Sequence, residues 1–164
     1  MKKLLAPDDN PGAVDRQKLR AMITYFVNQG AEDLGKTKLM KLLYYADFGF
    51  FAEHSRPISG ATYRAYPRGP VPEAALQELR SMVGDGLLIQ KMINVGGYIQ
   101  ESHLVQGAPS LDGLDSEEIE FLARVWEKWK GASVSSIVTA THSEAPWRSV
   151  DLYSDIPYEM AYLL

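Results

Sequence analysis

A glycine-lysine-threonine pattern is the first feature of this sequence that could carry out chemistry. Gly30, Gly35, Lys36 and Thr37 satisfy the G-x-x-x-x-G-K-[ST] signature of a phosphate-binding loop. That chemistry requires a strand before the loop, so that backbone N–H groups and the following helix surround the phosphates. The apolar residues before Gly30 instead recur with helical spacing, at positions 19, 22, 23, 26 and 27. The pattern therefore predicts a helix that ends at Gly30, with Thr37 in the first turn of the next one, and argues against nucleotide hydrolysis.

The three histidines, His54, His103 and His142, are the other candidates for catalysis or metal binding. None lies four residues from another histidine or from a carboxylate pair with ligand spacing, so no metal site is predicted. His142, Ser143 and Glu144 contain the residue types of a catalytic triad, but adjacent side chains point in different directions and cannot form its hydrogen-bond relay. We predict a structural role for His142, in which its ring makes a hydrogen bond. No catalytic residue and no cofactor is predicted.

Composition indicates the environment in which the chain works. The 164 residues are 46% hydrophobic and 23% charged, which suffices for a folded core, and they include no cysteine. The lack of cysteine excludes disulfides and thiolate metal sites and fits a reducing cytoplasm. Because the sequence shows neither a signal peptide nor an apolar run of membrane-spanning length, we expect a cytoplasmic protein without a membrane partner. The net charge of −4 has the wrong sign for strong nonspecific binding of nucleic acid.

The elements that must position these residues are mostly helices. Apolar periodicity and capping residues predict helices over 15–30, 36–53, 72–84, 115–131 and 133–146, and a short last helix over 154–164. Residues 61–66 are extended, and 87–93 pairs with 98–105 in a hairpin. The fold class is therefore α+β and predominantly α-helical, a compact helical domain with a small antiparallel β-hairpin or sheet. We expect a surface arm over residues 1–14 and a single domain over 15–164.

The helix over 72–84, the Asp85–Gly86 turn and the following hairpin also resemble the end of a winged-helix DNA-binding domain. In such a domain the helix would read the DNA, yet this one carries Glu73 and Glu78 against Arg80. Neutralisation of DNA phosphates would therefore be weak. A winged-helix-like DNA-binding regulator is the alternative function, with nucleic acid as the less favoured partner.

Three further stretches are together more specific than any single motif. They are Lys38 to Ala46 (KLMKLLYYA), Tyr66 to Pro72 (YPRGPVP) and Thr141 to Trp147 (THSEAPW). In order and spacing the set resembles the Panacea family, the SocA-like antitoxin domain, over about residues 15–150. The aromatic residue that commonly precedes the Gly-Pro motif is displaced here by Pro67 and Arg68, and Tyr66 is its nearest counterpart.

The resemblance implies a helical domain with a small sheet that acts, without catalysis, as the antitoxin of a bacterial or phage toxin-antitoxin pair. Members of the family neutralise toxins of unrelated chemistry by direct binding, and relatives occur in phage and mobile elements. The implied partner is a cognate protein toxin, neutralised by protein-protein interaction. We expect the mechanism to be steric occlusion.

A surface for this partner is predicted around the Ser55–Pro72 loop and the polar side of the 36–53 helix. The residues predicted to contact the partner are Lys38, Lys41, Tyr45, Arg64, Tyr66, Arg68 and Trp147. Those predicted to be structural parts of the motifs are Gly69, Pro70, Pro72 and His142. The alternative is that the glycine and prolines only shape a turn and that the lysines are solvated.

Overall fold

The computed structural model of the chain describes residues 13–31 and 34–164. The helices in this part of the chain are α1 (Arg16–Val27), α2 (Lys36–His54), α3 (Glu73–Gly84), α4 (Ser116–Trp129), α5 (Val134–Ser143), α6 (Ala145–Arg148) and a 3₁₀ helix (Tyr158–Leu163). The strands are β1 (Tyr63–Tyr66), β2 (Gly69–Pro72), β3 (Leu88–Val95), β4 (Tyr98–Val105) and β5 (Asp155–Ile156). The predicted α+β class with mostly helix is confirmed. The predicted arm over 1–14 lies outside the described residues, except for Ala13 and Val14.

Helix α2 is the centre of the fold. Other elements surround it, because it packs against α1, α4, α5, β2 and the 3₁₀ helix. Its aromatic and aliphatic side chains are therefore buried around its whole circumference, and Tyr44, Phe48 and Phe50 are fully covered. A helix that is apolar on every side is typical of a buried core helix. The polar residues in the middle of α2, Lys38, Lys41 and Asp47, consequently have little access to solvent.

The helix starts follow the capping residues predicted from the sequence. The side chain of Asp15 accepts a 3.0 Å hydrogen bond from the backbone N–H of Lys18 at the start of α1. Asp115 and Glu118 form a reciprocal capping box on α4, with hydrogen bonds of 2.8 and 3.0 Å. The side chain of Ser133 caps α5 by accepting a 3.0 Å hydrogen bond from the backbone N–H of Ser136. Each cap supplies an acceptor for backbone donors that the first helical turn leaves unpaired.

A small antiparallel sheet packs beside α2, with the strand order β2-β1-β5. In the β1–β2 register Tyr66 faces Gly69, so Pro67 and Arg68 form the tip of a tight hairpin. Strand β2 was not predicted, because its prolines argue against regular structure. Proline is compatible with an edge strand, since the missing N–H then faces away from the sheet, and β2 is the edge here. Pro72 is the N-cap residue of α3 rather than its first residue.

The β3–β4 hairpin agrees with the sequence, although β3 extends two residues further than predicted. Its register runs from Leu88 opposite Val105 to Val95 opposite Tyr98, with Gly96 and Gly97 at the turn. Both glycines have positive φ, as tight hairpin turns require.

The C-terminal region differs from the predicted single helix, because β5 precedes the 3₁₀ helix. No helix of the described residues is long and apolar enough to cross a bilayer.

Candidate partner-binding site

The three stretches that carry the family resemblance meet at one place, the motif junction, formed by Lys41, Gly69, Pro70 and Thr141. The Nζ of Lys41 donates a 2.9 Å hydrogen bond to the backbone oxygen of Pro70. Gly69 lies so close to its neighbours that a Cβ there would be 2.6 Å from Thr141 Oγ1 and 2.7 Å from Lys41 Cε. The junction therefore packs α2, the β1–β2 hairpin and α5 against one another.

A second group of contacts joins the hairpin and α2 to the chain around α6. The Nε1 of Trp147 donates a 2.8 Å hydrogen bond to the backbone oxygen of Tyr66. Tyr45 on α2 donates a hydrogen bond to the carboxylate of Glu144 and stacks on Trp129, with ring centroids 4.6 Å apart. Burial raises the pKa of Glu144, and the Tyr45 hydroxyl opposes this shift. The Trp147 contact therefore fixes the end of β1 next to the hairpin tip, and the Tyr45–Glu144 contact joins α2 to the start of α6.

Lys38 and Lys41 do not lie on an exposed polar side of α2, and that prediction is wrong. Their exposed fractions are 0% and 1%, because the elements around α2 cover its middle turns on every side. The Nζ of Lys38 donates a 3.1 Å hydrogen bond to the backbone oxygen of Lys130. Burial, with like-charge repulsion from Arg68, lowers the pKa of Lys41 to about 8. The two lysines therefore connect elements from inside and present no charge at the surface.

The remaining predicted contact residues lie on or beside the β1–β2 hairpin and differ in their availability. Arg64 forms ion pairs with Asp155 at 3.2 Å and Glu73 at 3.3 Å. The hydroxyl of Tyr66 donates to the same Glu73. Arg68, at the hairpin tip, is exposed and forms no ion pair within residues 13–31 and 34–164. Arg68 is thus the member of this group whose charge is available to a partner.

His142 is held by packing rather than by the hydrogen bond predicted for its ring. It stacks on Trp147, with ring centroids 4.1 Å apart and an interplanar angle of 28°. Its Nε2 is buried and has no hydrogen-bond partner among the described residues. The prediction that Pro146 follows the helix end is also modified, since α5 ends at Ser143 and Pro146 lies in the short α6.

The Gly-Lys-Thr pattern lies between two helices, as the sequence predicts. Helix α1 precedes it, Gly30 has a φ of +72°, and Thr37 is in the first turn of α2. The Nζ of Lys36 forms a 2.7 Å ion pair with Glu101 on β4. The pattern thus follows a helix instead of a strand, and its lysine is already paired with a carboxylate. It therefore does not reproduce the geometry of a phosphate-binding loop.

The residues with triad chemistry are engaged separately. Ser143 donates its hydroxyl hydrogen to the backbone oxygen of Ala140 at 2.8 Å, while Glu144 accepts from Tyr45. This pattern gives the two side chains different partners instead of a relay through His142. Over the described ranges, no group of three or more metal-ligating side chains could hold a metal ion.

The helix-hairpin arrangement that suggested DNA binding is present, but its charges are used within the fold. Helix α3 is followed by the β3–β4 hairpin. Glu78 on α3 is buried and accepts from Arg20 at 2.6 Å, and Arg16 lies 3.6 Å from its other oxygen. Arg80 is the exposed cation of α3. This face offers little positive charge to a phosphate backbone.

A buried network around Asp47 was not identified from the sequence. One carboxylate oxygen accepts from the backbone N–H of Ser59 at 2.7 Å, and the other accepts from Ser59 Oγ and Tyr63 Oη, both at 2.6 Å. Burial raises the pKa of Asp47, and these hydrogen bonds oppose the shift. The available signal was a single aspartate within the apolar stretch of α2. The network joins α2 to the segment that leads into β1.

The buried Lys41 makes stability depend on pH. Its pKa is about 8 in the folded chain and 10.5 when exposed, so the unfolded chain binds more protons between these values and stability rises with pH there. Relative to a Lys41→Met variant, wild type should gain about 2 kcal/mol of unfolding free energy between pH 7 and pH 9.5, measured by urea denaturation. Because both proteins contain the same tyrosines, the comparison with Lys41→Met removes the effect of tyrosine ionisation. Parallel pH profiles for the two proteins would contradict a charged, buried Lys41.

A comparison with protein-family models covers most of the residues in these motifs. A family model described as "Antitoxin SocA-like, Panacea domain" matches residues 39–148. The match includes the motif junction and the Trp147 contact. No curated protein and no solved structure was found to match the chain. Because the matched residues make up most of the sequence, the chain belongs to the family of SocA-like antitoxins with a Panacea domain.

Proposed function

We propose that this protein is the antitoxin of a toxin-antitoxin pair and neutralises a cognate protein toxin by direct binding. Membership of the SocA-like family supports a protein toxin as the partner. The observation that supports the proposal is the motif junction, where the motifs pack the β1–β2 hairpin against α2. In this proposal the motifs stabilise the surface that binds the toxin, and no reaction is required.

The proposed mechanism is steric occlusion. A hairpin tip that is fixed before binding loses little conformational entropy when it contacts a partner. Trp147 holds the backbone of Tyr66, and the Lys41 ammonium holds that of Pro70. Arg68 lies between these anchored residues with its charge exposed. In this proposal the rigid tip covers the toxin's active or substrate-binding face.

The predicted contact residues have two different roles in this proposal. Arg68, Arg64 and Tyr66 form the surface that touches the toxin, and Trp147 supports it from below. Lys38, Lys41 and Tyr45 act from within the fold, because all three are buried. In this proposal the protein acts without catalysis in the cytoplasm, and a prophage or mobile element is where its gene is expected.

The proposal is tested with the short toxic reading frame expected beside the gene. Co-expression of wild type should restore growth, and the purified proteins should form a complex. Arg68→Glu should weaken the complex by at least tenfold, because it replaces an exposed cation at the contact. Arg80→Glu is the matched control, since Arg80 is also exposed and lies on α3.

Calorimetric titration gives the affinities, and thermal unfolding verifies that both variants fold. Absence of binding and of growth rescue by wild type would overturn the proposed function. Wild-type affinity in a folded Arg68→Glu variant would reject the hairpin tip as part of the contact surface.

A further inference from the structure

A cleft of about 860 Å³ opens beside Arg68, at the tip of the β1–β2 hairpin. Its walls come from the β3–β4 hairpin, the first turn of α2 and helix α5, and Arg68 also lines it. Val134 and Val138 on α5 contribute apolar surface to the same cleft as the β3–β4 hairpin. The cleft therefore joins an apolar wall to the exposed cation of the β1–β2 hairpin.

The hairpin side of the cleft exposes large apolar side chains. Met92, Tyr98 and Ile99 have exposed fractions of 62%, 58% and 69%. The β3–β4 register places Met92 and Ile99 on the same face of the hairpin. Apolar side chains grouped in this way, beside a concave surface and rimmed by polar residues, mark interaction sites. Their burial by a partner would contribute favourable free energy in proportion to the covered area.

Charge at the cleft is distributed unevenly. Lys36 lines it but is paired with Glu101 at 2.7 Å. Arg68 makes no ion pair with any described residue, so it is the cation left to a ligand. A carboxylate placed next to apolar side chains would complement both features. One free arginine near a glutamate does not suit a phosphate backbone, which needs several cations.

We propose that this cleft is the docking site for a segment of the toxin that presents apolar side chains beside a carboxylate. The inference rests on the proposed antitoxin function and specifies which chemistry on the toxin is recognised. Arg68 pairs with the carboxylate, and Met92, Ile99 and the valines of α5 cover the apolar side chains. A protein segment is favoured over a small molecule because Met92 and Ile99 are 62% and 69% exposed on one face of the β3–β4 hairpin, where an extended partner can cover both together with Arg68.

The first test measures binding of the purified toxin from the adjacent reading frame to full-length variants. Ile99→Glu should weaken the complex by at least tenfold and abolish growth rescue, since it places a carboxylate where apolar side chains and a carboxylate dock. Leu163→Glu is the matched control, because Leu163 is 64% exposed and lies on the 3₁₀ helix. Its affinity should stay within twofold of wild type. Met92→Glu provides a second variant should Ile99→Glu unfold.

The second test locates the contact by photo-crosslinking with benzoylphenylalanine in place of Met92, and in place of Leu163 as the control. Illumination should join position 92 to a toxin peptide that contains an acidic residue among apolar ones. Binding should also weaken as salt is added, and this dependence should be smaller for Arg68→Glu.

The outcomes separate the docking proposal from the proposed function. If wild type neither binds the toxin nor restores growth, both fail. If wild type does both while the folded Ile99→Glu and Met92→Glu variants match it, the docking site alone is overturned. Crosslinks from position 92 to a second copy of this chain, or a low-salt DNA gel shift lost in both variants, would also overturn it.

Discussion

Replacement of Gly69 with alanine should lower the free energy of unfolding by about 2–5 kcal/mol, from backbone strain and overpacking together. The φ of Gly69 is +112°, a conformation that residues with a Cβ rarely adopt. The new methyl group would also lie 2.6 Å from Thr141 Oγ1 and 2.7 Å from Lys41 Cε. Since the motif junction holds the β1–β2 hairpin, we expect the variant to lose growth rescue with its stability.

Two other glycines separate the causes of this loss. Gly86 has a φ of +76°, but an added Cβ would meet open space. Gly86→Ala should therefore lower the free energy of unfolding through backbone strain alone, by about 1–2 kcal/mol. Gly84, in the last turn of α3, also has open space and has no positive φ. Gly84→Ala should therefore raise the free energy of unfolding by about 0.5–1 kcal/mol. Chemical denaturation of the three variants gives the comparison. Equal losses at Gly69 and Gly86 would contradict tight packing at the junction.

The helices of this protein could be predicted because their signals are local. Asp15, Asp115 and Ser133 each cap a helix through a backbone N–H three residues later. Such contacts depend on neighbouring residues alone, so the sequence contains all the necessary information. The Gly96–Gly97 turn made the β3–β4 hairpin predictable for the same reason.

The small sheet could not be predicted in full because its pairing is not local. Strand β5 has two residues, and it is a strand because Tyr63 and Arg64 pair with Ile156 and Asp155. Strand β2 contains two prolines, which local rules assign to a turn. Its position at the sheet edge makes those prolines acceptable. That position is decided by tertiary packing.

The sequence names the residues of the family motifs but does not give the position of each one in the fold. The family motifs drew attention to Lys41, Arg68 and Trp147, yet spacing alone could not distinguish a residue that binds from one that supports. Lysine chemistry predicts exposure, whereas packing on every side of α2 buries Lys41 and directs its ammonium to Pro70. The cleft beside the β3–β4 hairpin was missed, since Met92 and Ile99 line the same cleft as Arg68 only in the folded chain.

Replacement of Asp47 with alanine should lower the free energy of unfolding by about 3–5 kcal/mol, because it removes the acceptor of a buried polar network. The Ser59 N–H, the Ser59 hydroxyl and the Tyr63 hydroxyl would lose that acceptor. Tyr63 would retain the backbone oxygen of Leu43 at 2.9 Å, so Tyr63→Phe should lose less, about 1–2 kcal/mol.

Asp151→Ala is the matched control for this network. Asp151 is exposed, and the hydrogen bond that it accepts from Ser154 is made by its backbone oxygen. Its replacement should change stability by less than about 0.5 kcal/mol. Urea denaturation near neutral pH measures all three variants, and toxin titration of the folded fraction measures binding. A loss at Asp47 no larger than at Asp151 would contradict the network as a support of β1. Because this network joins α2 to the segment that leads to Arg68, weakened toxin binding by folded Asp47→Ala would connect core order to the proposed contact surface.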